Sequence, residues 1–230
     1  MPALPLPLPV AVLVSGGGTN LQALLDALRD SGQARVARVV SSRPDAGALE
    51  RAHRSGVPAM VLADPANADE MIAAVADARL VVLAGYLKRI PPAVVARFRW
   101  RVINIHPALL PGFGGAGMYG PRVHVAVLAS GAAVSGATVH YVDDEYDRGP
   151  IIAQWPVPVR PGDTPESLAA RVLEVEHRLL PYVVLELARR GAPAEPVRLF
   201  ADGTGFRVSD EPAVNLTATK RRNDGKGMHD

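Results

Sequence analysis

The 230-residue sequence contains no cysteine, which excludes disulfides, thiolate nucleophiles and thiolate–metal sites. It also lacks any uninterrupted apolar run near the ~20 residues that span a membrane. The start MPALPLPLPV is apolar, but it has no basic residue, and its prolines oppose the helix that a signal peptide needs. These absences predict a cytoplasmic protein without a membrane partner.

The sequence also lacks a large excess of positive or negative charge. The 25 Lys and Arg residues nearly balance the 23 Asp and Glu residues, and part of the small excess lies in a cluster at 220–222. A net charge of +2 gives no electrostatic reason to expect nucleic-acid binding. Hydrophobic and charged contents of 48% and 21% are typical of an ordinary soluble globular protein, and the chain is long enough for a substantial core.

The first half of the chain alternates between apolar β-like runs and amphipathic segments. We predict strands at 10–14, 35–41, 59–62, 80–84 and 102–106, and helices at 21–30, 46–55, 67–78 and 90–98. Such alternation predicts an α/β fold, an open doubly wound and mostly parallel sheet with helices on both faces.

The pattern changes after residue 106. A glycine-rich loop at 113–120, predicted to be mobile, leads into a helix at 121–130. Segments 136–143 and 151–159 read as consecutive strands with no helix between them, so we expect an antiparallel extension. A long helix follows at 164–190, with Thr164 as N-cap, and Pro181 should kink or split it.

These patterns predict one domain over residues 1–191 that begins with a prolyl extension at 1–9. Residues 192–230 form a C-terminal extension, with a small hairpin at 198–208 and a disordered end.

Two polar residues mark the tip of the strand 102–106. Asn104 and His106 are two residues apart, so both side chains point to the same side, at the edge where open α/β sheets bind ligands. An amide donor beside an imidazole suits chemistry at a carbonyl group. Asp147, in the turn-rich run YVDDEYDRGP, can supply a carboxylate that orients the histidine. The alternatives are a structural histidine and a solvated acidic loop.

Other candidates also have ordinary explanations. The SGGGTN loop at 15–20 offers free N–H groups to an anion, with Thr19 or Asn20 as helix cap, or it is only a glycine-rich turn. Lys88 and Arg89 attract an anionic substrate or are merely solvated. His140 is best explained as a satisfied interior histidine. Metal ligation is disfavoured, because no second histidine stands at a useful spacing from His106.

Taken together, the motifs VSGGGTNLQALL, VVLAGYLKRI, NIHPALLP, VHYVDDEYDRGPII and ARVLEVEH resemble the phosphoribosylglycinamide formyltransferase family over residues 10–191. The resemblance implies a formyltransferase-like fold with a Rossmann-like N-terminal half. It also implies transfer of a formyl group from the cosubstrate 10-formyltetrahydrofolate to the amine of glycinamide ribonucleotide, in purine biosynthesis. The implied partners are these small molecules, without a metal, and a homodimer is compatible with the family.

The resemblance assigns roles to individual residues. Asn104, His106 and Asp147 match the family's catalytic trio. Backbone amides of Gly18, Thr19 and Asn20 would bind the substrate phosphate, and Glu176 would contact its glycinamide end. The folate site would comprise Leu87, Lys88, Arg89, Ile90, Asn104, Asp143 and Asp144.

Two departures from the family pattern stand out. A family arginine that helps to recognise folate has no match in ADPANADEM at 63–71, so Arg89 or another residue would bind the acidic tail of the folate. The loop around 113–120 is longer than in the shorter family members.

Other functions are also considered. The alternatives are a 10-formyltetrahydrofolate hydrolase, whose additional N-terminal regulatory domain is not expected here, and a non-catalytic nucleotide-binding module. A methionyl-tRNA formyltransferase would need a sizeable C-terminal domain, for which about forty residues after Gly191 are too few.

Overall fold

A computed structural model describes residues 7–192 and 194–199, which belong to one compact unit. Their sheet has seven strands in the order β3-β2-β1-β4-β5-β6-β7. The strands are β1 (Leu8–Val14), β2 (Ala34–Ser41), β3 (Ala59–Val61), β4 (Leu80–Leu83), β5 (Val102–His106), β6 (Val134–Tyr141) and β7 (Ile151–Pro158). The helices are α1 (Thr19–Leu28), α2 (Gly47–Arg54), α3 (Ala68–Ala74), α4 (Pro92–Arg97), α5 (Pro121–Ala129) and α6 (Pro165–Arg189).

The predicted fold class is confirmed. Strands β1 to β5 pair in parallel, and β6 and β7 add to the sheet in antiparallel pairing. The central strands β1 and β4 are almost wholly apolar and buried, as expected where helices cover both faces of a sheet. Their carboxyl ends, together with that of β5, form the edge at which open α/β sheets generally bind ligands.

The long helix α6 differs from its prediction at Pro181. The Thr164 side chain caps the helix by accepting from the Ser167 N–H, as expected, but the helix then runs without interruption to Arg189. The prediction of a split was therefore wrong. An interior proline costs roughly 3 kcal/mol, and here Pro181 is buried in a helix that packs against α1, α5, β6 and β7. That burial offsets the missing hydrogen bond.

Two local predictions at the N-terminus are also corrected. Strand β1 begins at Leu8, so the last two residues of the predicted prolyl extension belong to the sheet. Pro9 lacks an N–H but accepts from the Arg79 N–H at 2.8 Å, and a register shift follows directly after Val10. Neither Thr19 nor Asn20 caps α1, because both lie in its first turn and Gly18 occupies the cap position.

The C-terminal predictions lie largely outside the described residues. Within the described part, the Leu199 N–H donates to the Ile152 carbonyl at 2.7 Å. The remainder of the predicted hairpin at 198–208 and the predicted disordered end lie beyond it. Among the described residues, no helix is both long and apolar enough to cross a membrane.

Candidate active site

A cavity of about 570 Å³ opens at the carboxyl ends of β4 and β5. It is lined by nearly every site residue predicted from the sequence, and these residues come from five separate parts of the chain. The predicted residues that line it are Asn20, Leu87, Lys88, Arg89, Ile90, Asn104, His106, Asp143, Asp144, Asp147 and Glu176. Gly18 and Thr19 do not line it, and they lie at the adjoining start of α1.

Asn104 is held by a histidine on the neighbouring strand. The antiparallel register of β5 and β6 places Asn104 directly opposite His140. His140 Nδ1 lies 2.8 Å from the Tyr141 carbonyl, which can only accept, so Nδ1 carries a proton. His140 Nε2 accepts from Asn104 Nδ2 at 3.1 Å. This contact fixes the amide and leaves its second N–H for a ligand.

His106 is buried and oriented mainly by backbone. Its Nε2 donates to the Phe113 carbonyl at 2.9 Å, whereas Nδ1 lies 3.6 Å from Asp147 Oδ2, beyond hydrogen-bond range. Burial lowers the pKa of His106, although Asp147 and the Phe113 carbonyl oppose that effect. At pH 7 the ring is therefore neutral, with the proton on Nε2 and Nδ1 open to receive one. Asp147 acts on this histidine electrostatically.

Asp147 is itself held in an unusual backbone conformation. Its φ of 56° is in the left-handed region, which aspartate tolerates better than most residues. Its Oδ2 accepts from the Gly115 N–H at 2.9 Å, and Oδ1 lies 3.5 Å from His140 Nε2. Burial alone would raise the pKa of Asp147, but the two histidines and the Gly115 amide together hold it below its usual range. The carboxylate is therefore charged at neutral pH.

The loop at 113–120 touches the catalytic candidates through its backbone. The Phe113 carbonyl contacts His106, and the Gly115 N–H contacts Asp147. At Gly114 an added Cβ atom would be crowded, since it would meet the end of the Leu110 side chain and would lie 3.1 Å from the Cβ of Asp147. The mobility predicted for this loop stays a prediction. The structure shows it in contact with both His106 and Asp147.

Glu176 and Asn20 form a buried pair. Asn20 Nδ2 donates to Glu176 Oε2 at 2.6 Å, and the two residues are 8% and 7% exposed. Burial raises the pKa of Glu176 to about 7, although the hydrogen bond from Asn20 works against it. The Oδ1 atom of Asn20 is also buried and has no hydrogen-bond partner among the described residues. An oxygen in this position can accept from a ligand.

The glycine-rich loop packs tightly against α2. Gly18 has a φ of 74°, and a Cβ atom there would lie 2.6 Å from the Cβ of Ala48, so only glycine fits. Arg51 donates from Nε to the Gly17 carbonyl at 2.7 Å, which brings a positive charge to the loop. Arg51 was not among the site residues predicted from the sequence, and no local motif marks it.

The segment at 87–90 forms another wall of the cavity. The Leu87 N–H donates to Ser15 Oγ at 2.9 Å, which fixes the segment to the end of β1. Arg89 Nη2 donates to the Asp144 carbonyl at 2.9 Å and so bridges to the turn that carries Asp147. Lys88 makes no hydrogen bond or ion pair within the described part of the chain. The segment at 63–71 does not line the cavity.

His140 was only partly understood from sequence. It is satisfied and interior, as predicted, yet it also lines the cavity and contacts both Asn104 and Asp147. Its alternation with Thr138 on β6 was the available signal. In the described residues, no group of three or more histidine or carboxylate side chains is arranged to hold a metal ion.

Comparison with known proteins identifies relatives of this chain. Residues 8–184 match the family model described as formyl transferase. The chain is 45% identical over 185 residues to the chloroplastic phosphoribosylglycinamide formyltransferase of Arabidopsis thaliana, covering 76% of this chain but only 63% of that relative. It thus spans less than two thirds of the plant protein's length.

Bacterial relatives match over more of their length. The phosphoribosylglycinamide formyltransferase of Haemophilus influenzae is 38% identical over 184 residues, covering 76% of this chain and 84% of the relative. A crystal structure of phosphoribosylglycinamide formyltransferase from Anaplasma phagocytophilum superposes with a TM-score of 0.75 at 36% identity, covering 80% of this chain and 87% of that one.

Proposed function

Because this chain belongs to the formyl transferase family, we propose that it transfers the formyl group of 10-formyltetrahydrofolate to the amine of glycinamide ribonucleotide. The names of the Arabidopsis and Haemophilus relatives support this acceptor. A role in purine biosynthesis is supported by a relative from Gallus gallus that is named as a trifunctional purine biosynthetic protein and is 38% identical over 192 residues. The observation that carries the proposal is the single cavity shared by Asn104, His106 and Asp147 on one side and the Asn20–Glu176 pair on another.

The first step is attack by the acceptor's neutral amine on the formyl carbon. The formyl oxygen gains negative charge as the tetrahedral intermediate forms. Asn104 has a free N–H for this oxygen, because its other N–H is occupied by His140. A preorganised donor of this kind contributes about 3 kcal/mol to transition-state stabilisation.

The second requirement is proton transfer from the attacking amine to the leaving nitrogen of the folate. His106 is neutral, and its Nδ1 can take up a proton beside Asp147. The charged carboxylate then stabilises the imidazolium, which returns the proton as the bond between carbon and folate nitrogen breaks. His106 therefore acts as the base and then as the acid, with Asp147 as its electrostatic partner.

The acceptor is bound between the glycine-rich loop and α6. Backbone amides of Gly18, Thr19 and Asn20 at the start of α1 suit the phosphate group. Glu176 suits the glycinamide end, because a carboxyl group with a pKa of about 7 can accept from or donate to an amide. The hydrogen bond between Asn20 and Glu176 links these two subsites.

The donor is bound against the segment at 87–90. We assign the pterin to Leu87, Ile90 and the backbone of this segment, together with Asn104, Asp143 and Asp144. Lys88, exposed beside the cavity, is the cation assigned to the acidic tail in place of the missing arginine. The family supports a folate-derived formyl donor, and the proposed chemistry needs no metal.

One experiment separates this function from its alternatives. The protein is incubated with 10-formyltetrahydrofolate, with and without glycinamide ribonucleotide. We expect the folate product to appear only when the ribonucleotide is present. Formate release without the ribonucleotide would instead indicate a hydrolase, and no turnover under either condition would indicate a nucleotide-binding module.

A homodimer and a cytoplasmic location remain predictions. Sedimentation at several concentrations checks the first, and imaging of the tagged protein in its own cell checks the second. The Arabidopsis relative is named as chloroplastic, so location differs within the family or depends on residues outside the shared region.

A further inference from the structure

His124 is a cavity-lining imidazole that no step of the proposed reaction uses. It lies on α5, is 4% exposed and borders the cavity. Its Nδ1 is buried and has no hydrogen-bond partner in the described residues. A polar side chain buried in this way at the wall of a ligand cavity requires an explanation.

The unpaired Nδ1 determines where the ring carries its proton. Burial lowers the pKa of His124, and the nearby His106 lowers it further, so the ring is neutral at pH 7. A neutral imidazole has a single N–H. A buried N–H without a partner is rarer in proteins than an unpaired acceptor, so the proton belongs on Nε2. Because Nδ1 is enclosed by protein, Nε2 is the nitrogen that a ligand can reach.

The position of α5 indicates which ligand this is. Helix α5 packs against α6, and α6 packs against α1. His124 therefore belongs to the same layer of helices as Asn20 and Glu176. The residues assigned to the folate, at 87–90, 104 and 143–144, come from other parts of the chain.

We infer that His124 is a further binding residue for the amine-bearing substrate, to which its Nε2–H donates a hydrogen bond. The hydrogen-bond acceptor is an uncharged carbonyl or hydroxyl oxygen of the ribonucleotide, because an uncharged oxygen matches the neutral N–H of His124. This inference rests on the proposed function. It adds a hydrogen-bond donor to a subsite that is otherwise formed by the Glu176 carboxyl group and the Asn20 amide oxygen.

Two substitutions distinguish the two ring nitrogens. His124→Gln places an amide N–H near the position of Nε2, whereas His124→Asn places one near Nδ1. We expect His124→Asn to raise the KM for glycinamide ribonucleotide about threefold to tenfold, the value of one hydrogen bond. His124→Gln should restore most of that loss, and neither variant should change the KM for 10-formyltetrahydrofolate.

His177→Asn is the matched control. Burial also lowers the pKa of His177, and its Nε2 is likewise buried without a partner in the described part of the chain. His177 does not line the cavity, so its replacement should leave both KM values unchanged. Circular dichroism of all three variants checks that they are folded.

Three kinetic outcomes would overturn the inference: a wild-type KM for the ribonucleotide in His124→Asn, equal impairment of the Gln and Asn variants, or a change confined to the folate KM. An inactive wild-type protein would instead refute the proposed function. In that case, ¹⁵N NMR of the histidine rings still tests the inference about His124 without turnover. Binding of the ribonucleotide should shift the Nε2 signal of a neutral His124. An unshifted signal would count against the inference.

Discussion

Asn20 and Glu176 are 156 residues apart in sequence and are joined by a 2.6 Å hydrogen bond from amide to carboxyl group. Asn20 sits in the first turn of α1, directly after the glycine-rich loop, and Glu176 lies in the middle of α6. The loop assigned to the phosphate and the residue assigned to the amine end are therefore parts of one connected unit. A shift of either helix would change both subsites together.

We predict that Asn20→Ala weakens both stability and acceptor binding. The substitution leaves the buried Glu176 without its partner, which should lower the free energy of unfolding by about 1–3 kcal/mol. Denaturant unfolding measures this loss, and steady-state kinetics should show a higher KM for the ribonucleotide. Asp26→Ala removes exposed side-chain interactions with Gln22 and Arg29 on the same helix surface and should leave both values near wild type. Equal effects of the two substitutions would contradict the role of the buried pair.

The pKa of Glu176 predicts how stability depends on pH. Burial raises this pKa from 4.5 to about 7 in the folded protein. Between these two values the folded state binds the proton and the unfolded state releases it, so stability falls as pH rises through this range. Glu176→Gln cannot titrate, and its unfolding free energy should fall less between pH 5 and pH 8 than that of the wild type. Parallel pH profiles for the two proteins would show that Glu176 titrates normally.

Removal of either member of the His106–Asp147 pair should abolish most turnover. We expect His106→Asn and Asp147→Asn to lower kcat by about 10²- to 10⁴-fold, the usual contribution of acid–base catalysis, while the protein stays folded. Glu145→Gln removes a carboxylate from the same turn, but Glu145 has no proposed role, so this variant should remain active. Near-normal rates in the first two variants would refute the assignment.

In the proposed mechanism, the same pair determines the acid limb of the pH–rate profile. The proposed reaction requires neutral His106, whose pKa is lowered by burial, so the rate should fall once the pH is low enough to protonate this histidine. Asp147 raises the pKa of His106, and the residual activity of Asp147→Asn should therefore show an acid limb at lower pH. A limb that moves to higher pH would contradict this electrostatic role.

The sequence predicted the part of the site that depends on local periodicity. Asn104 and His106 lie two residues apart on an apolar strand, so their common face and their place at the sheet edge follow from strand geometry. The contact between Asn104 and His140 depends on the register of β5 and β6, which no local pattern specifies. The Phe113 carbonyl and the Gly115 N–H are backbone groups, and side-chain identity therefore gives no signal of their contacts with His106 and Asp147. The split predicted at Pro181 does not occur, because the burial of this proline against other elements is a tertiary effect that the local sequence does not show.

Arg89 and Lys88 are adjacent in sequence but have different partners, and their roles can be separated with two formyl donors. Arg89 bridges to the Asp144 carbonyl, so Arg89→Ala should loosen the turn at 143–147 and raise the KM for every folate donor by about threefold to tenfold. Lys88 is the residue that we propose binds the acidic tail of the folate. Lys88→Ala should raise the KM for 10-formyltetrahydrofolate but not for the corresponding pteroate, which lacks the glutamyl tail. If Arg89→Ala affects only the glutamylated donor, Arg89 itself binds the tail and the bridge to Asp144 is incidental.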